Sequence, residues 1–336
     1  MRDQLSYSFL ILTFACVGSI FADMCPFLQS PCSCDYPTSM ILCRSTNRGN
    51  LTLALKTNLP RVLTFQELHI SGFLSRANQV ISNRFPIQEL EPSTFDDFRF
   101  KYVHIYETEL ELIHSDAFAS TYDYTKVLNL KSNWLVNGPS HTEYDIFETV
   151  NKFTGLMHLD LSDNRLVHVP SYSFGQLSNL KTIQLGSNYI QTIGDHAFYL
   201  ASNLNYIGLQ SNKLTSIAAD VLYIQRHSST IFISLFDNHL NSGDIKSLTG
   251  ILRPLDLDLS ANNITFADRD LYQPLLSQQP SSIVRFKRNP FDCDCRTTAW
   301  LVNNRTFYQN HMLNIKCADG VSLWKKSSEE LETMCL

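Results

Sequence analysis

Leu156-x-x-Leu159-x-Leu161-x-x-Asn164-x-Leu166, Leu180-x-x-Ile183-x-Leu185-x-x-Asn188-x-Ile190 and Leu204-x-x-Ile207-x-Leu209-x-x-Asn212-x-Leu214 are three copies of one frame, 24 residues apart. The frame continues through Ile233-x-Leu235-x-x-Asn238, Leu257-x-Leu259-x-x-Asn262 and Val284-x-Phe286-x-x-Asn289, and backwards to Leu128-x-Leu130-x-x-Asn133. Earlier copies decay, with Thr108 and then Phe73 at the asparagine position. Ten residues after that position stands a second apolar residue: Phe118, Phe174, Phe198, Leu222 and Leu248. Two features in one register mark a repeat architecture.

The alternation in Leu-x-Leu is that of a short strand with its leucines turned inward. Stacked once per repeat, such strands build a parallel sheet on the inner face of an arc, and the return segment with its Phe covers the other side. No single repeat buries both faces alone. The fold class predicted is α/β: a leucine-rich repeat solenoid, a curved horseshoe with its parallel β-sheet on the concave face. Asn133, Asn164, Asn188, Asn212, Asn238, Asn262 and Asn289 are expected to form an internal ladder, each amide meeting backbone groups that the bend leaves unpaired.

A stack of this kind ends in two apolar edges that need covers. Nine cysteines bracket the chain. Cys16 lies in a leader, where Arg2 precedes the apolar run Phe9-Leu-Ile-Leu-Thr-Phe-Ala-Cys-Val17 and the stretch Ser19-Ile-Phe-Ala22, read as a secretory signal peptide. The rest form two groups of four, Cys25, Cys32, Cys34 and Cys43 at one end and Cys293, Cys295, Cys317 and Cys335 at the other. In an exported protein they read as four disulfides, two per end. Bonding within either Cys-x-Cys closes a ring too small for the preferred dihedral, which leaves crossed or nested pairing. Oxidising surroundings and single-residue gaps argue against zinc. The domain plan is a signal peptide at 1–22, an amino-terminal cap at 23–60, about nine repeats at 61–288 and a carboxy-terminal cap at 289–336. Irregular spacing places an insertion at Asn137 to Val150, a candidate contact loop on one rim.

The 336 residues are 44% hydrophobic and 18% charged, which excludes a disordered chain. A net charge of −5 offers no uniform basic field for nucleic acid or an anionic membrane. No later apolar run predicts a membrane anchor. No Gly-x-Ser-x-Gly elbow, His-Glu-x-x-His helix, phosphate-binding loop or acidic calcium loop occurs, so neither enzyme activity nor a cofactor is expected. The expected product is secreted and extracellular.

In the strand frame, residues between the leucines face the concave side. Tyr102, His104, His158, Asp160, Gln184, Tyr206, Phe232 and Asp258 are the candidate partner-binding residues. Aromatics beside acids on a rigid sheet suit protein binding, since Tyr and Phe give contact area at little entropic cost. The basic stretch Arg285-Phe-Lys-Arg288 suggests a sulfated glycan as a further ligand. Asn50-Leu-Thr52, Asn263-Ile-Thr265 and Asn304-Arg-Thr306 fit the glycosylation acceptor pattern.

From Cys25 to Leu336 the sequence resembles extracellular leucine-rich repeat proteins with cysteine-rich flanks, through Cys25-x6-Cys32-x-Cys34-x8-Cys43 and Asn289-Pro-Phe-Asp-Cys293-Asp-Cys295. More narrowly, Phe100-Lys-Tyr-Val-His-Ile105, Ile113-His-Ser-Asp-Ala-Phe118, Tyr144-Asp-Ile-Phe147 and Phe291-Asp-Cys-Asp-Cys295 look like a secreted arthropod group. That group includes proteins similar to the non-catalytic leucine-rich subunit of a deep-sea shrimp luciferase. The resemblance implies disulfides Cys25–Cys34, Cys32–Cys43, Cys293–Cys317 and Cys295–Cys335, and a role without catalysis. Two roles are weighed: recognition of an extracellular protein, receptor or glycan, and a carrier subunit that stabilises a secreted enzyme.

Overall fold

A computed structural model describes residues 28, 32–35, 38–44, 55, 62–71, 74–76, 79–81, 87–138, 142–199, 201–219, 221–224, 229–246, 248, 250–327 and 329–330. The leader at 1–22, Cys25, Asn50, Phe73 and Cys335 lie outside the described residues. The strands are β1 (Cys32–Asp35), β2 (Met40–Arg44), β3 (Leu63–Ser71), β4 (Leu74–Arg76), β5 (Gln79–Ile81), β6 (Glu89–Leu90), β7 (Phe98–Tyr106), β8 (Leu112–Ile113) and β9 (Val127–Asn129). They continue as β10 (His158–Asp160), β11 (His168–Val169), β12 (Thr182–Gln184), β13 (Thr192–Ile193), β14 (Tyr206–Gly208), β15 (Ile231–Ser234), β16 (Leu255–Asp258), β17 (Ile283–Arg285) and β18 (Met312–Leu313).

Twelve of them form one sheet in the order β1-β2-β3-β7-β9-β10-β12-β14-β15-β16-β17-β18. Its first pair is antiparallel and the rest run parallel. Leu128, Leu159, Ile183, Ile207, Ile233, Leu257 and Val284 are successive register partners. Each is at most 1% exposed. A one-residue slip would turn all of them to solvent, so the pattern fixes the register. On the far side Phe118, Phe174 and Phe198 are fully buried. Ring centroids there are 5.9 Å apart for Phe147 and Phe174 and 5.5 Å for Phe174 and Phe198. These rings form the layer of the coil opposite the sheet.

The corner after each strand is built from the asparagines. Asn188 Nδ2 donates to Leu161 O and Leu185 O, both at 3.0 Å, and its Oδ1 accepts from Leu166 N at 3.0 Å. Asn164, Asn212, Asn238, Asn262 and Asn289 repeat the arrangement, each reaching its own repeat and the one before. Asn133 does the same through Ile105 O and Leu130 O. Leu161 O therefore receives one proton from Asn164 and one from Asn188. The residue before each asparagine is left-handed: Ser132, Asp163, Ser187, Ser211, Asp237, Ala261 and Arg288 have φ of 54–61°. None is a glycine, which puts a conformational penalty at every corner.

Cys32 and Cys43 face each other across β1 and β2 and are bonded. Cys293 is bonded to Cys317 at the other end. Cys34 and Cys295 are also in disulfides. Beyond β17, the helix Cys295–Val302 is capped by the Asp294 side chain, which accepts from Arg296 N. Trp324 Nε1 donates to Met312 O at 3.1 Å, which holds the last segment against the final strand of the sheet.

The insertion carries a helix, Ile146–Asn151, whose Ile146, Phe147 and Val150 are buried. Its approach is tied to the preceding coil by Glu143 Oε2 at 3.0 Å from His114 Nε2 and by Tyr144 Oη donating to Glu89 at 2.6 Å.

Candidate functional site

Two rows of side chains run across the long sheet on the side away from the buried leucines. One row contains Glu67, Tyr102, Val127, His158, Thr182, Tyr206, Phe232 and Asp256 in register order. The second contains His69, His104, Asn129, Asp160, Gln184, Gly208, Ser234, Asp258 and Arg285. The eight candidate partner-binding residues divide evenly between them: Tyr102, His158, Tyr206 and Phe232 in the first, His104, Asp160, Gln184 and Asp258 in the second. Of the eight, His158 is exposed and the other seven are half-buried.

They form groups instead of one cluster. Tyr206 and Phe232 stack at 5.4 Å with an interplanar angle of 20°. Four strand steps separate Tyr102 from Tyr206, about 19 Å. Beside Tyr206 two glycines are covered by glutamine amides. A Cβ at Gly208 would lie 2.3 Å from Gln184 Oε1, and one at Gly186 2.3 Å from Gln210 Nε2. Both glycines therefore let the two glutamine amides lie flat on the sheet. Gln210 Oε1 is buried and receives no hydrogen bond among the described residues.

The acids have local work as well. Asp160 Oδ1 accepts from Ser162 N at 2.9 Å and Ser162 Oγ at 2.5 Å, and Asp258 Oδ1 accepts from Ser260 N at 2.9 Å. Asn129 makes the same turn with Lys131 N at 3.1 Å. These contacts end each strand and leave the second carboxylate oxygen of each acid for another ligand. Further along, Arg285 pairs with Asp256, which takes one cation out of the basic stretch proposed for glycan.

At the other end, His69 and His104 stack at 4.6 Å, and His69 Nε2 lies 2.7 Å from Glu67 Oε2. Burial, and after it the neighbouring His69, lowers the His104 pKa below its usual value, while Glu67 opposes the shift. Glu67 and His69 were missed because Phe73 interrupts the asparagine frame. Carrying Leu68-x-Ile70 as one more strand would have found both.

Arg253 was also missed. Only 1% exposed, it donates to Leu204 O at 2.6 Å, Ser229 O at 2.8 Å and Ser229 Oγ at 2.6 Å. It stitches three successive coils from inside, and burial lowers its pKa. On the corner side, a cleft of about 410 Å³ includes Trp134, Arg165 and Tyr189, with the guanidinium 4.1 Å from the indole centroid. The Asn263 and Asn304 side chains are exposed. Among the described residues no helix is long and apolar enough to cross a membrane.

Comparison with known proteins places this geometry. Residues 154–219 match the leucine rich repeat family model. Human trophoblast glycoprotein, also called Wnt-activated inhibitory factor 1, superposes with a TM-score of 0.50 at 14% identity, covering 90% of this chain and 98% of that one. The LRIM1/APL1C complex aligns at TM-score 0.45 and 16% identity, over 68% of this chain and 40% of that chain. The Toll–Spatzle complex of Drosophila aligns at 0.40 and 17%, over 76% and 40%. The chain thus spans about two-fifths of the chains matched in those two complexes. No curated protein matches the sequence. The parallel sheet, the asparagine corners and the disulfides at both ends are those of a leucine-rich repeat solenoid with caps.

Proposed function

We propose that this is a secreted, non-catalytic leucine-rich repeat protein that binds an extracellular protein on its concave face. One observation carries the reading: the half-buried Tyr206–Phe232 stack stands on the concave side of a sheet whose register is fixed. Aromatic anchors on a rigid platform lose little entropy on binding. Asp160 and Asp258 supply acidic points on either side. Disulfides at both ends suit an oxidising compartment. Pairings Cys25–Cys34 and Cys295–Cys335, and glycans on Asn50, Asn263 and Asn304, belong to the same reading. So does the narrower likeness to the arthropod group, which rests on the sequence stretches alone.

The test is retention of a partner from native extracellular fluid by the folded protein and by the double variant Tyr206→Ala/Phe232→Ala. Two lost anchors should lower retention by roughly a hundredfold or more, at about 1.4 kcal/mol per tenfold. Equal retention by both proteins refutes the face. A secreted enzyme recovered in stoichiometric amount would identify the partner class as that of a carried subunit.

A further inference from the structure

Strands β3 and β7 are nine residues long and share eight register pairs, far longer than the three-residue strands β9, β10, β12 and β14. Both change phase once. Leu63 and Phe65 are buried and then Leu68 and Ile70, with Gln66 and Glu67 as two consecutive residues outside the core. On β7, Lys101 and Tyr102 make the same slip between Phe100 and Val103. The matched slips keep the two strands in register and bring His69 directly opposite His104.

Glu67 lies two residues before His69 on the same strand, so it shares the concave side with both imidazoles. One ligand atom from each of Glu67, His69 and His104 falls within 4.8 Å of the other two. All three side chains are half-buried, which fixes their stems while leaving the tips accessible. Among the described residues this is the one cluster of metal-ligating type that meets such a distance.

We propose that Glu67, His69 and His104 form a divalent transition-metal site of the zinc class. Two imidazole nitrogens and one carboxylate oxygen are a ligand set that suits zinc, and also copper and nickel, better than calcium or magnesium. Metal–ligand bonds of about 2.1 Å in a tetrahedron put ligand atoms about 3.3 Å apart, so closure asks for side-chain rotations of about an ångström with no strand movement. The fourth position opens onto the concave face, where water or a donor from a bound protein completes it. The site stands on the geometry of two strands and does not require the partner-binding reading.

Untagged, disulfide-intact protein stripped with a chelator should be titrated with zinc against a chromophoric competitor, and separately with copper for electron paramagnetic resonance. About one equivalent of metal should bind, with nitrogen hyperfine structure from two imidazoles. His69→Ala/His104→Ala should abolish that binding, and Glu67→Gln should weaken it roughly tenfold or more. His239→Ala, an exposed histidine outside both proposed sites, should bind as the parent does. Melting of the metal-free variants confirms that they remain folded. Absence of stoichiometric binding by the parent, or unchanged binding by the folded double-histidine variant, overturns the proposal.

Discussion

The middle of the solenoid and its amino-terminal repeats hold the same fold by different means. From β10 to β14 the strands are three residues long, the step is 24, and the corners are closed by Asn164, Asn188 and Asn212. In β3 and β7 the strands are nine residues long, with partners Leu68 and Val103 35 positions apart. Thr108 stands where β7's asparagine would be; its N and Oγ1 donate to Asn133 Oδ1 at 3.0 and 2.6 Å. A packed aromatic group fills the interior there, with Phe95 stacked on Phe118 at 4.8 Å and Phe98 on Phe100 at 5.8 Å. Where the side-chain ladder fades, the backbone ladder lengthens and the aromatic core thickens.

Phe100→Ala is the strongest way to break the amino-terminal half of this contrast. It should cost about 4 kcal/mol, and since each repeat leans only on its neighbours, the loss should stay local. Hydrogen exchange should show β3 and β7 opening while β10 to β14 stay protected. Global loss of protection would show that the two regions melt as one. Asn188→Leu attacks the middle. It orphans Leu166 N–H and halves the donors to Leu161 O and Leu185 O, for about 3 kcal/mol in denaturant unfolding. A midpoint equal to that of the parent would remove the ladder from the account of stability.

Smaller changes sharpen the comparison. Thr108→Val removes the hydroxyl that also accepts from Leu110 N at 3.2 Å, and should cost about 1 kcal/mol. That is less than Asn188→Leu, because Asn133 still accepts from Thr108 N and donates to Ile105 O. A cost equal to the asparagine's would deny the trade. Ala261→Gly should stabilise by about 0.5 kcal/mol, since relief of the left-handed corner slightly exceeds the added chain entropy. A lower midpoint would mean that the corner is not strained.

The repeats were legible because an inward leucine, an inward asparagine and a distant Phe recur at fixed offsets, and each sits at a place where only that chemistry fits. Tyr206 and Phe232 followed from the alternation, as did Asp160 and Gln184. The rest left weaker marks. Glu67 and His69 lie in a decayed copy whose asparagine position holds Phe73, too weak a match to place their side chains on the concave face. The left-handed corners use Ser, Asp, Ala and Arg, none of which signals positive φ as Gly does. Arg253 reads as surface from its charge, and only the packed coils reveal three carbonyl and hydroxyl acceptors around it. The flat glutamine floor depends on Gly186 and Gly208 meeting amides from neighbouring repeats, a relation between strands that no local pattern records.

Each ladder carbonyl divides its two lone pairs between the amide of its own coil and that of the next. Every junction in the regular middle therefore ends in the same half-filled acceptor. Duplication or loss of one whole 24-residue unit rejoins like to like and leaves the covers at both extremities untouched. A gain of twelve residues would strand donors on one side and acceptors on the other. The molecule can thus change length in whole coils at little cost, and with each coil it gains or sheds one strip of its concave surface.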